Sequence, residues 1–100
     1  MSALRDRVIT ALRDAEPALR ERGVLHLALA GSVARDTARD DSDVDVLIDL
    51  DASRRIGVFT IVDIQFEIEN RVGRRTDVVN RRGLRPGIRE SIERHSIQVF

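Results

Sequence analysis

The sequence predicts an α/β fold built around one core, and three observations carry that reading. Apolar residues recur at helical spacing over residues 2 to 21, two short apolar runs (Val24 to Ala30 and Asp43 to Asp51) have the length and content of strands, and a Gly-Ser turn stands between those runs. At 100 residues and 42% hydrophobic, the chain is long enough for one core and not for two, so residues 1–100 are expected to form a single domain.

The elements follow in order. Leu4, Val8, Leu12 and Leu19 lie near helical spacing among Arg, Asp and Glu, with Ser2 placed to cap that helix and Gly23 to stop it. Val24 to Ala30 is a short apolar run ended by Gly31, as suits a buried strand. A loop and a short helix come next, and then Asp43 to Asp51 as a second strand. Residues 56 to 72 carry two periods at once. Ile61, Ile64, Ile68 and Val72 fit a helix, whereas Val62, Ile64, Phe66 and Ile68 alternate with polar residues as a half-buried strand would, and period alone does not decide between them. Gly73 closes that element, Thr76 to Val79 reads as a short strand, Pro86 opens a helix with Ile88 and Ile92 on one face, and Ile97 to Phe100 reads as an edge strand.

Composition excludes several functions. Seventeen acidic residues balance seventeen basic ones, all of them arginine, so the net charge is zero and bulk attraction to nucleic acid or membrane is not expected. Any electrostatic function is local. There is no cysteine, which rules out disulfides, thiol chemistry and a cysteine-based zinc site. The opening MSALRDRVITALRD has no apolar leader-like region, and no run approaches the roughly 18 apolar residues of a membrane span, so a soluble cytoplasmic protein is expected. Three Phe and no Tyr or Trp leave little to stack on bases, which argues against a single-stranded nucleic-acid binder.

The second strand carries the chemistry. Side chains alternate faces along a strand, so Val44, Val46, Ile48 and Leu50 point to the core while Asp43, Asp45, Leu47, Asp49 and Asp51 point the other way, giving one apolar and one acidic face. Asp43 and Asp45 are two residues apart, roughly 6.5 to 7 Å along a strand, close enough to lean onto two divalent ions about 4 Å apart. Without cations such a cluster repels itself and raises its own pKa values. Mg²⁺ is the usual ion where substrate phosphates complete an oxygen shell. Ahead of it, Gly31-Ser32 opens a turn into a short helix, where backbone N–H groups face an anion, a Ser hydroxyl is at hand and Arg35 lies one turn on.

Taken together, GSVARD followed by DSDVDVLID resembles the minimal nucleotidyltransferases (MNT proteins) of the DNA polymerase beta superfamily, whose signature is G-S-x-A-R-G, a short spacer and S-D-x-D. Gly31, Ser32, Ala34, Arg35, Ser42, Asp43 and Asp45 fall where that pattern places them. Asp36 departs from it, standing where the family more often has Gly, so the turn after Arg35 is expected to be stiffer and more acidic. The resemblance implies a polymerase-beta-like nucleotidyltransferase fold, a small mixed sheet flanked by helices, and it tips residues 56 to 72 towards helix. It implies a third carboxylate on a later strand, for which Asp77 in RRTDVVN is the matching candidate. Asp43, Asp45 and Asp77 are then the expected catalytic residues and ligands of two Mg²⁺ ions, and Gly31, Ser32 and Arg35 the expected nucleotide-binding residues for ATP.

Other charged residues carry weaker signals. Arg71, Arg74, Arg75, Arg81, Arg82, Arg85 and Arg89 form a basic stretch, either a solvated face or a surface that contacts a nucleotide tail, RNA or a partner docked beside Asp77. His26 and His95 read as structural, and Glu90 and Arg94 are spaced for a surface i,i+4 pair. Two functions fit. One is an enzyme that moves AMP from ATP to a hydroxyl, expected to be that of a tyrosine on a cognate HEPN-type toxin, as the resemblance to antitoxins of HEPN/MNT pairs implies for a type VII-like antitoxin. The other is an antitoxin that neutralises its partner by binding alone. The sequence shows no extra substrate domain of the kind found in antibiotic-modifying and tRNA-tailing relatives, so a protein acceptor is expected.

Overall fold

Pro17 divides the N-terminal helical segment in two. In the computed structural model, which describes residues 3–100, α1 (Ala3–Asp14) and α2 (Glu16–Glu21) stand where a single helix over 2 to 21 was expected. Proline lacks the N–H that a continuing helix needs but is tolerated in a first turn, so a new helix starts there. The expected Ser2 cap lies outside the described residues. Gly23 ends α2 with a φ of 100°, a left-handed conformation that glycine adopts without a Cβ penalty.

The chain continues through β1 (Val24–Ala30), α3 (Gly31–Ala34), β2 (Val44–Leu50), α4 (Val58–Val72), β3 (Thr76–Asn80), a 3₁₀ turn at Arg81–Gly83, α5 (Pro86–Glu93) and β4 (Ile97–Gln98). The strand order is β3-β2-β1-β4, with β2 and β3 parallel and the other two pairs antiparallel, so the sheet is mixed. Residues 58–72 are helical, and the competing strand pattern fails because its members part company: Ile64 and Ile68 are fully buried while Val62 and Phe66 are exposed. Gly73, at a φ of 74°, closes α4 by donating its N–H to the Glu69 carbonyl at 2.8 Å.

The main core lies on one face of the sheet, where Val8, Leu12 and Leu19 of α1 and α2 and Ile64 and Ile68 of α4 pack on Leu27, Leu29, Val44, Val46 and Ile48. The other face of β2 is not simply acidic, as the alternation had suggested. Leu47 is buried there with Ala28 and Ala30 under Val79, Leu84 and Ile92, because α5 crosses that face and builds a second, smaller core. Acidic groups remain at either end of it, Asp45 and Asp49. Asp51 leaves the face altogether and closes a turn, accepting hydrogen bonds from the Ser53 N–H at 2.9 Å and hydroxyl at 2.7 Å, which hold its carboxyl below the ordinary range.

Three smaller expectations change with the packing. Of the two isoleucines placed on one face of α5, Ile92 packs but Ile88 stays 52% exposed. The Glu90–Arg94 pair does not form; Arg89 pairs with Glu93 at 3.0 Å, and Glu93 also draws Arg81 to 3.4 Å. The last strand is shorter than expected, although Val99 still donates to the Leu27 carbonyl at 2.9 Å. His26 and His95 are both exposed. Among the described residues, no helix is long and apolar enough to cross a membrane.

Candidate active site

The site begins where β1 runs out. Gly31 has a φ of 68°, and a Cβ at this position would lie 3.0 Å from Cγ and 3.1 Å from Cβ of Asp45, with Oδ2 closer still. Ala30 and Asp45 are partners across the β1–β2 pair, so the backbone at residue 31 is pressed against the Asp45 carboxyl and only glycine leaves it room. Ser32 is half-buried in α3; its carbonyl accepts from the Thr37 N–H at 2.9 Å, and its hydroxyl makes no hydrogen bond among the described residues.

Asp36 follows at a φ of 62°, the one non-glycine residue with positive φ among those described. That explains why a glycine suits this position: the chain turns there through the left-handed region, which Asp tolerates better than most residues but at some strain. Asp36→Gly is therefore expected to stabilise the protein by about 0.5 kcal/mol, the relief of roughly 1–2 kcal/mol being partly offset by the extra freedom of an unfolded glycine. Thermal melts of the two proteins check this, and a lower melting temperature for the glycine variant would show that the Asp36 side chain holds the turn.

The loop is then tied down in a way that delivers Asp43. The Arg39 N–H donates to the Ser42 hydroxyl at 2.8 Å and the Ser42 N–H to the Arg39 carbonyl at 3.0 Å. Arg74 reaches across from the α4–β3 connection and donates to the Ser42 carbonyl at 2.9 Å. The start of β3 is fixed too: the Thr76 N–H donates to Glu69 Oε2 at 2.9 Å, and the Val44 N–H to the Arg75 carbonyl at 2.9 Å. These contacts set the parallel register in which Asp45 and Asp77 are direct partners.

The result is a carboxylate cluster. The Asp45 carboxyl is pushed above its ordinary value of 3.8, first by burial, then by the like charges of Asp77 and Asp43 and by a hydrogen bond with Asp77, against a weaker lowering by Arg35. Among the described residues, no group of three or more His, Cys, Asp or Glu side chains is arranged to hold a metal ion. The donor chemistry nonetheless fits a hard divalent cation, since every donor is a carboxylate oxygen and a cation there relieves the like-charge crowding that raises Asp45. Asp77 is exposed.

Gly31, Arg35 and Asp45 line a cleft of about 240 Å³ together with Ala30, Val46, Leu47, Val79, Ser91 and Ile92. Of the residues singled out from sequence, the structure thus gathers Gly31, Arg35 and Asp45 into one cleft and sets Asp77 beside Asp45 and Asp43 just ahead of β2. Ser32 is not on the cleft wall. Ser91 and Ile92 were missed as site residues, because nothing local tells that α5 folds back over β2. The basic stretch breaks up: Arg71 bonds Glu67 at 2.9 Å, Arg74 bonds the loop, Arg81 lies between Asp49 and Glu93, and Arg89 pairs with Glu93. Arg75, Arg82 and Arg85 are exposed and form no ion pair among the described residues.

Comparison with known proteins adds to this geometry. The nucleotidyltransferase domain family matches residues 10–99 of the chain. The protein adenylyltransferase MntA of Thermococcus cleftensis is 34% identical over 82 residues, which cover 81% of each chain. A solved structure described as a minimal nucleotidyltransferase is 35% identical, with a TM-score of 0.74 over 88% of this chain and 89% of that one. A toxin–antitoxin structure with AMP-PNP shares the fold at a TM-score of 0.68 and 17% identity, covering 96% of this chain and 72% of that one.

Proposed function

Because the chain belongs to the nucleotidyltransferase domain family, we propose that it transfers AMP from ATP to a hydroxyl of a partner protein, releasing pyrophosphate. The observation that carries this reading is the pairing of Asp45 with Asp77 across β2 and β3, with Asp43 beside them and the Gly31 turn against the same carboxyl. A relative of 34% identity named as a protein adenylyltransferase supports the choice of nucleotide and of a protein acceptor. The chain is expected to act in the cytoplasm, where ATP is supplied.

Each residue then has a task. The Gly31 backbone holds the terminal phosphates, the Ser32 hydroxyl reaches them from the same turn just off the cleft wall, and Arg35 adds charge at the rim of the cleft. Asp43, Asp45 and Asp77 would hold two Mg²⁺ ions, which when bound supply positive charge to the reacting phosphate and the incoming hydroxyl. Asp77, the exposed member of the cluster, faces the acceptor. The hydroxyl oxygen attacks the α-phosphorus in line with the departing pyrophosphate, so one P–O bond forms, one breaks and the hydroxyl proton passes to solvent water. The acceptor must come within about 3 to 3.5 Å of the phosphorus, which requires the partner to dock over the carboxylates, with Arg75 close by.

The acceptor on this reading is a tyrosine of a HEPN-type toxin, in keeping with the toxin–antitoxin fold neighbour, and the protein acts as its antitoxin. Incubation of such a toxin with the chain, ATP and Mg²⁺ is expected to add one or more AMP masses to the toxin by intact mass spectrometry, and EDTA or Asp43→Asn to prevent it. If no adduct forms and the Asp43→Asn variant still neutralises the toxin in cells, neutralisation is by binding alone.

A further inference from the structure

Helix α5 supplies one wall of the cleft and is the most lightly held helix in the fold. The other α-helices each bury at least one residue fully; in α5 only Ile92 and Glu93 are even half-buried, and the rest are exposed. Ile92 joins the small core with Leu47, Val79 and Leu84, and Ser91 and Ile92 line the cleft together with Gly31, Arg35 and Asp45. An element held by so few apolar contacts opens easily. Whatever else ties α5 to the sheet therefore decides the shape of the cleft.

That tie runs through Arg81. Its Nε lies 3.4 Å from Glu93 Oε1 on α5 and 3.7 Å from Asp49 Oδ1 on β2. Asp49 follows Asp45 by four residues on one strand, so both side chains share the face that α5 crosses. Arg89 also meets Glu93, at 3.0 Å, but from within α5 itself. Among the described residues, Arg81–Glu93 is the one ion pair that joins α5 to another element. We propose that Arg81 is a positioning residue for the nucleotide: by drawing Glu93 of α5 towards Asp49 of β2, it fixes the wall that Ser91 and Ile92 present to the cleft. The proposal rests on the reading of that cleft as the site of ATP.

The local geometry separates this role from a general contribution to stability. Only 18% of the Arg81 side chain is exposed, yet its buried Nε makes no hydrogen bond among the described residues. A guanidinium taken out of water on those terms returns little net stability, and an apolar side chain of similar length is often as good. An apolar chain cannot, however, hold two carboxylates together. Asp49 and Glu93 both lie within ion-pair distance of one nitrogen, and without the cation between them they repel. The repulsion is relieved when α5 lifts, which leaves the main core on the opposite face of the sheet undisturbed. Lysine is a fair substitute here. The contacts are made by Nε, not by the tips of the guanidinium, and a lysine ammonium sits one bond further along a stem of similar reach.

Calorimetric titration with ATP and Mg²⁺ is expected to show binding about tenfold weaker for Arg81→Met and for Glu93→Ala, and recovery of most of that loss in Arg81→Lys. Hydrogen exchange of the nucleotide-free proteins should be faster across α5 in the first two variants and unchanged in β1 and β2, with little change in the thermal midpoint. A role confined to stability would lower the midpoint and leave the affinity of the folded protein as it was, and that result overturns the proposal. So does an Arg81→Lys protein as weak as Arg81→Met. Glu93→Ala, altered on the helix itself, carries the same test if Arg81→Met does not fold. Equal affinity in the unaltered protein and the variants overturns this proposal alone, whereas no binding of ATP by the unaltered protein overturns the nucleotide reading and the proposal with it.

Discussion

Asp45→Asn is expected to reduce AMP transfer roughly a thousand-fold, because several kcal/mol of charge stabilisation at the reacting phosphate is lost with the carboxylate and each 1.4 kcal/mol or so is a decade in rate. The same change is expected to raise the melting temperature of the metal-free protein. Asp45 is held among like charges, and an Asn amide can donate a hydrogen bond to Asp77 without adding charge. The sign with pH follows from linkage. A carboxyl whose folded pKa lies above its ordinary 3.8 takes up protons on folding, so its contribution to stability is favourable in acid and is lost as pH rises through the folded value. The difference in melting temperature between Asp45→Asn and the unaltered protein should therefore be near zero below that ordinary value and grow towards neutral pH. A variant that melts lower at neutral pH would mean that Asp45 is a structural hydrogen-bonding residue, and loss of stability would then account for any loss of transfer.

Gly31→Ala is expected to remove both activity and about 2–4 kcal/mol of stability. Roughly 1–2 kcal/mol comes from forcing a side chain into the left-handed region, and the rest from pressing a methyl group into the Asp45 carboxyl. Gly73→Ala isolates the first of these effects. Gly73 has a similar φ of 74° but open space around it, so it should lose only the conformational part, about 1–2 kcal/mol, and retain transfer. For a domain of this size each kcal/mol moves the melting temperature by about 4–8 °C, which separates the two variants in a simple thermal scan. Equal losses from both would show that residue 31 does not pack on Asp45. A Gly31→Ala protein that stays folded but inactive would show that the carboxyl has been pushed out of its place beside Asp77.

The sequence alone determined what depends on near neighbours. The bounds of β1, the Gly31 turn, the helix start at Pro86 and the stop at Gly73 all follow from residues that act within a few positions, and the structure has them where the chain indicates. The family pattern made Asp36 stand out, and its φ of 62° gives the backbone reason. Tertiary structure decided everything that depends on which segments meet. Because β2 and β3 run parallel, the segment between them has to be a long crossover, which residues 58–72 make as a helix, a requirement that no period within the segment reveals. The pairing of Asp45 with Asp77 joins residues 32 positions apart through a register set by Glu69 on Thr76 and by Arg75 on Val44. Likewise, α5 turns the middle of a seemingly acidic face into a small core around Leu47, and ion pairs across the fold take up arginines that read from sequence as one basic run. Local propensity acts over a turn or a strand; the carboxylate cluster is made by contacts between segments, and so it exists only once the chain has folded.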